Sequence, residues 1–182
     1  MAVYVRSALE SDLAQIHSIF EYYVLNTVVS FLIKKPPLDY VKSRFEATRV
    51  RGLPYLVAQQ HDSDAPSQIV GYAYASPFRS FMLGYGHSVE MTIFCHPDYI
   101  GKGVGDSLMR ELLQLLKKTK HVGREAGYED QVEEFEIKSV LAVMALDDER
   151  EDRGLGLRDW YVKWGFSEVG RLKNIGFKKG RW

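Results

Sequence analysis

Apolar and polar residues change period along this chain, and each change marks an element. Residues 3–8 alternate apolar and polar, the two-residue period of a half-buried strand. From Leu13 the period lengthens. Leu13, Ile16, Ile19, Phe20 and Val24 fall on one helical face, and Ser11 and Asp12 are positioned to cap its start. Lys34-Lys35-Pro36-Pro37 interrupts regular structure. A second helix is predicted over 39–49, with Tyr40, Val41 and Phe45 inward, closed by Gly52 and Pro54. Residues 55–59 predict a short strand, 61–68 a polar turn, and 69–75 another strand. So short a connection can only return an antiparallel neighbour. Residues 88–95 are rich in Val, Thr, Ile and Phe and predict a further strand.

Residues 96–105 form a glycine-rich turn that runs straight into a helix. Val104, Leu108, Leu112 and Leu115 make the helix's apolar stripe, and Met109, Leu113 and Leu116 widen it, as on a helix pressed against a sheet. Residues 120–137 are polar and acidic and predict a surface insertion, partly helical; the acidic 129–136 stretch reads as a solvated face. Residues 139–146 predict a buried strand, 147–153 a charged loop, and 157–164 a short helix with Gly165 at its exit. A closing hairpin is predicted from 166–172 and 175–182 around Lys173-Asn174. There is no repeat and no linker, so one domain over 1–182 is expected, α/β in class and mixed in strand direction.

Composition narrows the picture by exclusion. The 182 residues suit one domain whose core is stable alone, and 46% hydrophobic with 26% charged residues argues against wholesale disorder. The 24 basic and 24 acidic side chains balance, which leaves no electrostatic argument for a nucleic-acid partner. Cys95 is the only cysteine, so an internal disulfide and a Cys-x-x-Cys zinc cluster are excluded. No secretory leader pattern and no run of about 18 apolar residues is present, so a cytoplasmic protein without a membrane partner is expected. His87 and His96 lack companions at metal-ligand spacing, and no metal is expected.

The candidate chemistry begins with Gly101, Gly103 and Gly105. Glycines there let backbone N–H groups approach an anion at a helix N-terminus, where the dipole is positive. A phosphate or pyrophosphate is the matching ligand; a tight turn that merely caps a helix is the competing reading. Gly101-Lys102 is followed by Gly103 rather than Ser or Thr, which disfavours a nucleotide P-loop. Asp106 replaces the third glycine of a dinucleotide fingerprint, and the turn lies mid-chain.

The turn, His-Pro-Asp-Tyr-Ile-Gly-Lys-Gly-Val-Gly, resembles the acetyl-CoA signature of the GNAT superfamily of N-acetyltransferases, with Ile100 standing where Gln or Arg is usual. Val29-Ser30-Phe31, residues 71–79, Ser88-Val89-Glu90, residues 165–172, Ile175-Gly176-Phe177-Lys178 and Gly180-Arg181-Trp182 are similar, in order, to the phosphinothricin and methionine sulfoximine acetyltransferases. The resemblance implies a mixed, mostly antiparallel central sheet of about seven strands flanked by about four helices. It implies acetyl-CoA as co-substrate, a small amino-acid-like amine as acceptor, and a homodimer.

The same resemblance distributes roles. Amine acetylation needs a neutral amine and therefore a base. Glu90 stands where the family's catalytic glutamate does, and partial burial would raise its pKa; a solvent-facing strand-end glutamate is the bland alternative. Tyr161 matches the position beside the cofactor sulfur, or else is a core aromatic beside Trp160 and Trp164. Ile93, Phe94 and Cys95 would offer main-chain contacts to the cofactor arm, and Ile100, Gly101, Lys102, Gly103, Val104 and Gly105 would hold its diphosphate. Cys95 reads better as a core residue than as an acyl carrier, because no His–acid pattern accompanies it. Asp148 stands at a cofactor-contact position usually held by Asn, and a carboxylate cannot donate as an amide does. Arg79 is the candidate for an acceptor carboxylate or phosphinate, against a solvated loop arginine, and Phe31 and Tyr85 for the pocket wall, against simple core. Two rival functions remain: acetylation of a polyamine or other amine, and a non-catalytic acyl-CoA sensor.

Overall fold

The computed structural model describes residues 3–62, 65–147, 149 and 151–182. They form two compact units. One comprises Met1–Phe20 with Pro37–Val143, the other Glu21–Pro36 with Met144–Trp182. Seven strands and four α-helices are present among the described residues, as expected, but the strands divide into a five-stranded sheet and a separate pair.

In the first unit, β1 (Val3–Ser7), β2 (Tyr55–Asp62), β3 (Ala65–Pro77), β4 (Ser88–Cys95) and β7 (Ser139–Ala142) lie in the order β1-β2-β3-β4-β7. The first three pairings are antiparallel and β4–β7 is parallel. Two-residue alternation sorts β3 into two faces. Gly71, Ala73 and Ala75 make one face small; Tyr72 and Tyr74 make the other aromatic. The small face admits α3 (Val104–Leu116), which buries Val104, Leu108, Met109, Leu112 and Leu116. The fit is close: a Cβ on Gly71 would lie 2.9 Å from Val104 Cγ1 and 3.0 Å from Leu108 Cδ1. Leu115, placed at the stripe's centre by spacing, is only half-buried; Met109 and Leu116 take that ground.

Against the aromatic face lie α2 (Leu38–Val50), with Val41 and Phe45 buried, and the first turns of α1 (Leu13–Asn26). Tyr55 stacks on Tyr74 at 4.7 Å and meets Phe45 edge-on, while Phe20 stacks on Tyr40 at 5.8 Å. A 3-10 turn at Glu10–Asp12 launches α1. Asp12 there accepts two hydrogen bonds from the Arg6 guanidinium, at 2.7 and 2.8 Å, and one from the Leu9 N–H. Burial alone would push this carboxyl up; Arg6 and the Leu9 amide outweigh it and hold it below the usual range.

Three expectations for this unit are corrected. The polar 61–68 segment is largely strand rather than turn, with β2 running to Asp62 and β3 starting at Ala65. The 120–137 segment is not partly helical: β5 (Lys120–Gly123) and β6 (Glu133–Glu136) pair antiparallel, because His121 and Phe135 both turn inward and need facing strands to do so. The 139–146 strand ends at Ala142 and is half-buried, since β7 lies at the sheet's edge and Val143 is 70% exposed.

In the second unit, α4 (Leu155–Lys163) ends in a Schellman motif. Gly165 N–H bonds to Val162 O at 3.0 Å and Phe166 N–H to Tyr161 O at 3.2 Å, with Gly165 left-handed at φ 89°. The predicted closing hairpin of two strands is not formed. A turn does occur at Lys173-Asn174, but its flanks pair with no strand, and Val169 is 95% exposed. A second tight turn at Lys179-Gly180, both with positive φ, closes an isolated bridge between Lys178 and Arg181 and breaks the run that was to be the last strand.

Candidate functional site

β4 carries the candidate groups of the first unit in sequence. Glu90 is half-buried and paired across the sheet with Ser76 on β3 and Leu141 on β7. Its side of the sheet is that of Thr92 and Phe94, and across β3 that of Tyr72 and Tyr74. β7 runs out at Ala142, opposite Met91, whereas the ladder with β3 continues to Cys95. Thr92, Ile93, Phe94 and Cys95 therefore lie beyond the end of the β7 ladder. Burial, then the neighbouring Asp106, pushes the Cys95 thiol up to about 11, so it is a poor nucleophile near neutral pH.

The turn after β4 is held by its own backbone. His96 N–H bonds to Val70 O at 2.8 Å and Tyr99 N–H to His96 O at 2.8 Å. Gly101 and Gly103 both have left-handed φ, 75° and 79°, and an added Cβ would meet nothing within 4 Å at either. Gly103 is the N-cap of α3, and the first helical bond is Ser107 N–H to Gly103 O. The amides of residues 103–106 thus precede any intrahelical acceptor. Gly105 lies inside the first helical turn rather than in the loop. Ile100 is 63% exposed, and the Lys102 ammonium sits 4.9 Å from the Tyr99 ring centre.

Between β3 and β4, Arg79 is exposed with φ 49°, its guanidinium 5.7 Å from the Phe78 ring. Phe78 packs edge-on against Tyr85 at 5.3 Å. On the aromatic face, Phe20, Tyr40, Val41, Arg44, Tyr55, Tyr72 and Tyr74 line a small open cleft. Arg44 there lies 4.8 Å over the Tyr40 ring and has the Tyr40 and Tyr74 side chains as hydrogen-bonding neighbours.

In the second unit Tyr161 is buried and touches Trp160 at 5.1 Å and Phe166 at 5.4 Å between ring centres. Phe31 is half-exposed, with its ring close over Gly176. Lys178 is buried and donates to Ser30 O; burial, then Lys179, lowers its pKa. Arg181 bridges Asp147 and Glu149, at 2.9 and 2.6 Å, on either side of Asp148, which lies outside the described residues.

Residues 16–134 match the model of the acetyltransferase (GNAT) family. Phosphinothricin N-acetyltransferase of Alcaligenes faecalis is 32% identical, over 98% of this chain and 77% of its own. The L-methionine sulfoximine/L-methionine sulfone acetyltransferase of Salmonella typhimurium is 27% identical, over 98% and 88%. The crystal structure of a phosphinothricin acetyltransferase from Sinorhizobium meliloti in complex with acetyl-CoA superposes with a TM-score of 0.76 at 29% identity, covering 100% of this chain and 84% of that one. The chain belongs to the GNAT acetyltransferase family. It is accordingly an acetyl-CoA-dependent N-acetyltransferase.

Within this GNAT fold the structure adds residues that spacing did not single out. Arg44 was invisible because its partners, Tyr40 and Tyr74, lie on different elements. Lys178 entered only as part of a motif, and its link to Ser30 spans most of the chain. His121 sat in what read as a solvated insertion, yet it is 1% exposed. No group of metal-ligating side chains assembles, and no helix is long and apolar enough to cross a membrane, among the described residues.

Proposed function

We propose that this GNAT enzyme transfers the acetyl group of acetyl-CoA to the α-amino group of a small amino-acid-like acceptor, of the phosphinothricin or methionine sulfoximine/sulfone kind, with Glu90 as general base. The observation that carries the reading is the layout of one strand: a half-buried carboxylate, then a stretch of β4 that runs on past the end of the β7 ladder, then a glycine turn. The turn fits a diphosphate, because Gly101 and Gly103 leave open space where side chains would stand and the amides at the start of α3 have no acceptor within the helix. Gly101, Lys102, Gly103, Val104 and Gly105 would hold that group, with Ile100 contributing backbone only. The Ile93, Phe94 and Cys95 backbone would take the cofactor arm. Acetyl-CoA supplies an activated thioester; the chain supplies position and proton transfer.

Glu90 accepts a proton from the acceptor ammonium, directly or through water, and frees its lone pair. Tyr161, assigned by family resemblance, gives a proton to the departing thiolate, and Asp148 keeps its family position as a weak cofactor contact. Arg79 would pair with the acceptor's carboxylate or phosphinate beside Tyr85, and Phe31 keeps its family assignment as a pocket-wall residue. Residues 1–182 are read as one acetyltransferase domain, because the relatives align through both compact units. The setting proposed is the cytoplasm, with no metal and no nucleic-acid partner.

The test is thiol release from acetyl-CoA with a panel of phosphinothricin, methionine sulfone, ordinary amino acids and spermidine. Turnover is expected with the amino acids and their analogues. Arg79→Ala should raise KM for carboxylate acceptors about 10–100-fold, the loss of one charge-assisted pair. Turnover only with spermidine would overturn the acceptor class; tight acetyl-CoA binding without release would favour the sensor.

A homodimer is also proposed. Leu172, Ile175, Phe177 and Trp182 expose apolar side chains on the second unit, which a protein–protein contact would cover. Light scattering should give twice the chain mass of 20.9 kDa, and a monomer at micromolar concentration would remove the assignment.

A further inference from the structure

We propose that the β5–β6 hairpin is a splint for the acceptor loop, and that His121 at its base is a positioning residue for acceptor recognition. The proposal rests on the reading above that Arg79 and Tyr85 face the acceptor. The loop between β3 and β4 holds one 3-10 turn at Leu83–Tyr85, the Phe78–Tyr85 ring contact and a Phe78 N–H to Ser88 O bond at its mouth. Its internal bonds are short-range turns: Met82 N–H to Arg79 O, Tyr85 N–H to Met82 O and Gly86 N–H to Leu83 O. Its longer-range ties come from elsewhere in the same unit.

Four ties converge on it. His121 Nε2 donates to Gly86 O at 2.7 Å; a carbonyl only accepts, so the proton is on Nε2. Glu125 accepts from the Leu83 N–H at 3.0 Å. Arg51 Nη2 donates to Ser80 O and Oγ, at 3.1 and 3.0 Å, while its backbone carbonyl accepts from the Val122 N–H. His87 Nδ1 donates to Glu136 O at 2.7 Å. The packing is as close as the bonding. A Cβ on Gly86 would lie 2.4 Å from the Phe135 ring, and one on Gly123 would lie 2.7 Å from Leu83 Cδ2. These two glycines let a side chain of each partner, the Phe135 ring and Leu83, pack against bare backbone of the other.

Packing alone does not call for a histidine at 121. The side chain is buried, and its Nδ1 has no partner among the described residues, a situation an apolar residue would avoid. What imidazole supplies and leucine cannot is a directional donor to Gly86 O, the carbonyl next to Tyr85. The hairpin thereby sets the backbone on which Tyr85 and Arg79 stand, without touching the acceptor itself.

The test uses the full chain and three variants. His121→Leu removes the donor, His121→Gln returns an amide N–H near the Nε2 position, and Glu125→Ala cuts a second tie from a less buried site, so the test survives if His121→Leu does not fold. Two readouts are taken: amide hydrogen exchange over residues 83–87, and KM for acceptor and acetyl-CoA separately. His121→Leu and Glu125→Ala are expected to speed exchange at Leu83–Tyr85 and raise acceptor KM about tenfold, with acetyl-CoA KM unchanged and His121→Gln restoring both. Unchanged exchange overturns the splint whether or not the parent turns over any acceptor. Faster exchange with both KM values rising together overturns the positioning role and leaves a general structural one. A parent inactive on every acceptor counts against the proposed function, and exchange alone then decides the splint.

Discussion

Glu90→Gln is expected to lower kcat about 10²–10⁴-fold, the usual yield of a positioned general base, and to leave acetyl-CoA affinity unchanged. Glutamine keeps the shape of the side chain and one acceptor oxygen. It cannot take the proton that an ammonium must lose before nitrogen has a lone pair to attack with. The backbone at this position is locked by ladders on both sides, to Ser76 and to Leu141, so the substitution has little scope to disturb the sheet. It also leaves intact the glycine turn and the Thr92–Cys95 end of β4, which hold acetyl-CoA in the proposed reading. The residual rate of the variant should climb with pH until the acceptor amine deprotonates in solution, because the missing base is then no longer needed. Rapid-mix thiol detection across pH, with calorimetric titration of acetyl-CoA, measures both quantities. A Gln variant as fast as the parent would take Glu90 out of the mechanism. A parent and variant equally inert, both binding acetyl-CoA tightly, would support the sensor.

The elements legible from spacing were those whose burial is decided locally. β4 was read with its observed bounds, because Val89, Thr92, Ile93 and Phe94 concentrate strand-forming residues between two turn signals. The α3 stripe was likewise legible, since four apolar residues at helical spacing leave one face to bury. The insertion was misread because its polar composition is real at most positions, while its structure is decided by two inward residues, His121 and Phe135, whose partners lie in a distant loop. The closing hairpin failed for the opposite reason. Its turn signal at Lys173-Asn174 is real, but flanking runs become strands only where an edge accepts them, and Lys179-Gly180 spends the second run on another turn. Of the candidate site, the glycine turn was visible as a motif and Glu90 by its place in a resembling order. That Glu90 shares a sheet face with Tyr72 and Tyr74, which with Arg44 line a cleft, followed only from the register of β3 against β4.

Leu108→Ala is expected to destabilise the protein by about 2–5 kcal/mol, the range for removing a fully buried leucine from a packed core. Leu108 is 0% exposed and lies on α3 where the helix meets the small face of β3. The same contact makes Gly71→Ala unfavourable, by roughly 1–3 kcal/mol, because the new Cβ would press on Val104 Cγ1, Leu108 Cδ1 and Phe94 O, all at 2.9–3.0 Å. The two changes share a volume, so they should not add. In the Leu108→Ala background one of the three crowded contacts is gone, and the second substitution partly fills the space the first opened. The double variant is therefore expected to be at least about 0.5 kcal/mol more stable than the sum of the single losses predicts. Urea unfolding of the four proteins at constant m-value measures the coupling. Strict additivity would mean that α3 relaxes away from β3 independently at each site. In that case the seat of the helix, and with it the placement of the amides at its N-terminus, is looser than the close approach over Gly71 implies.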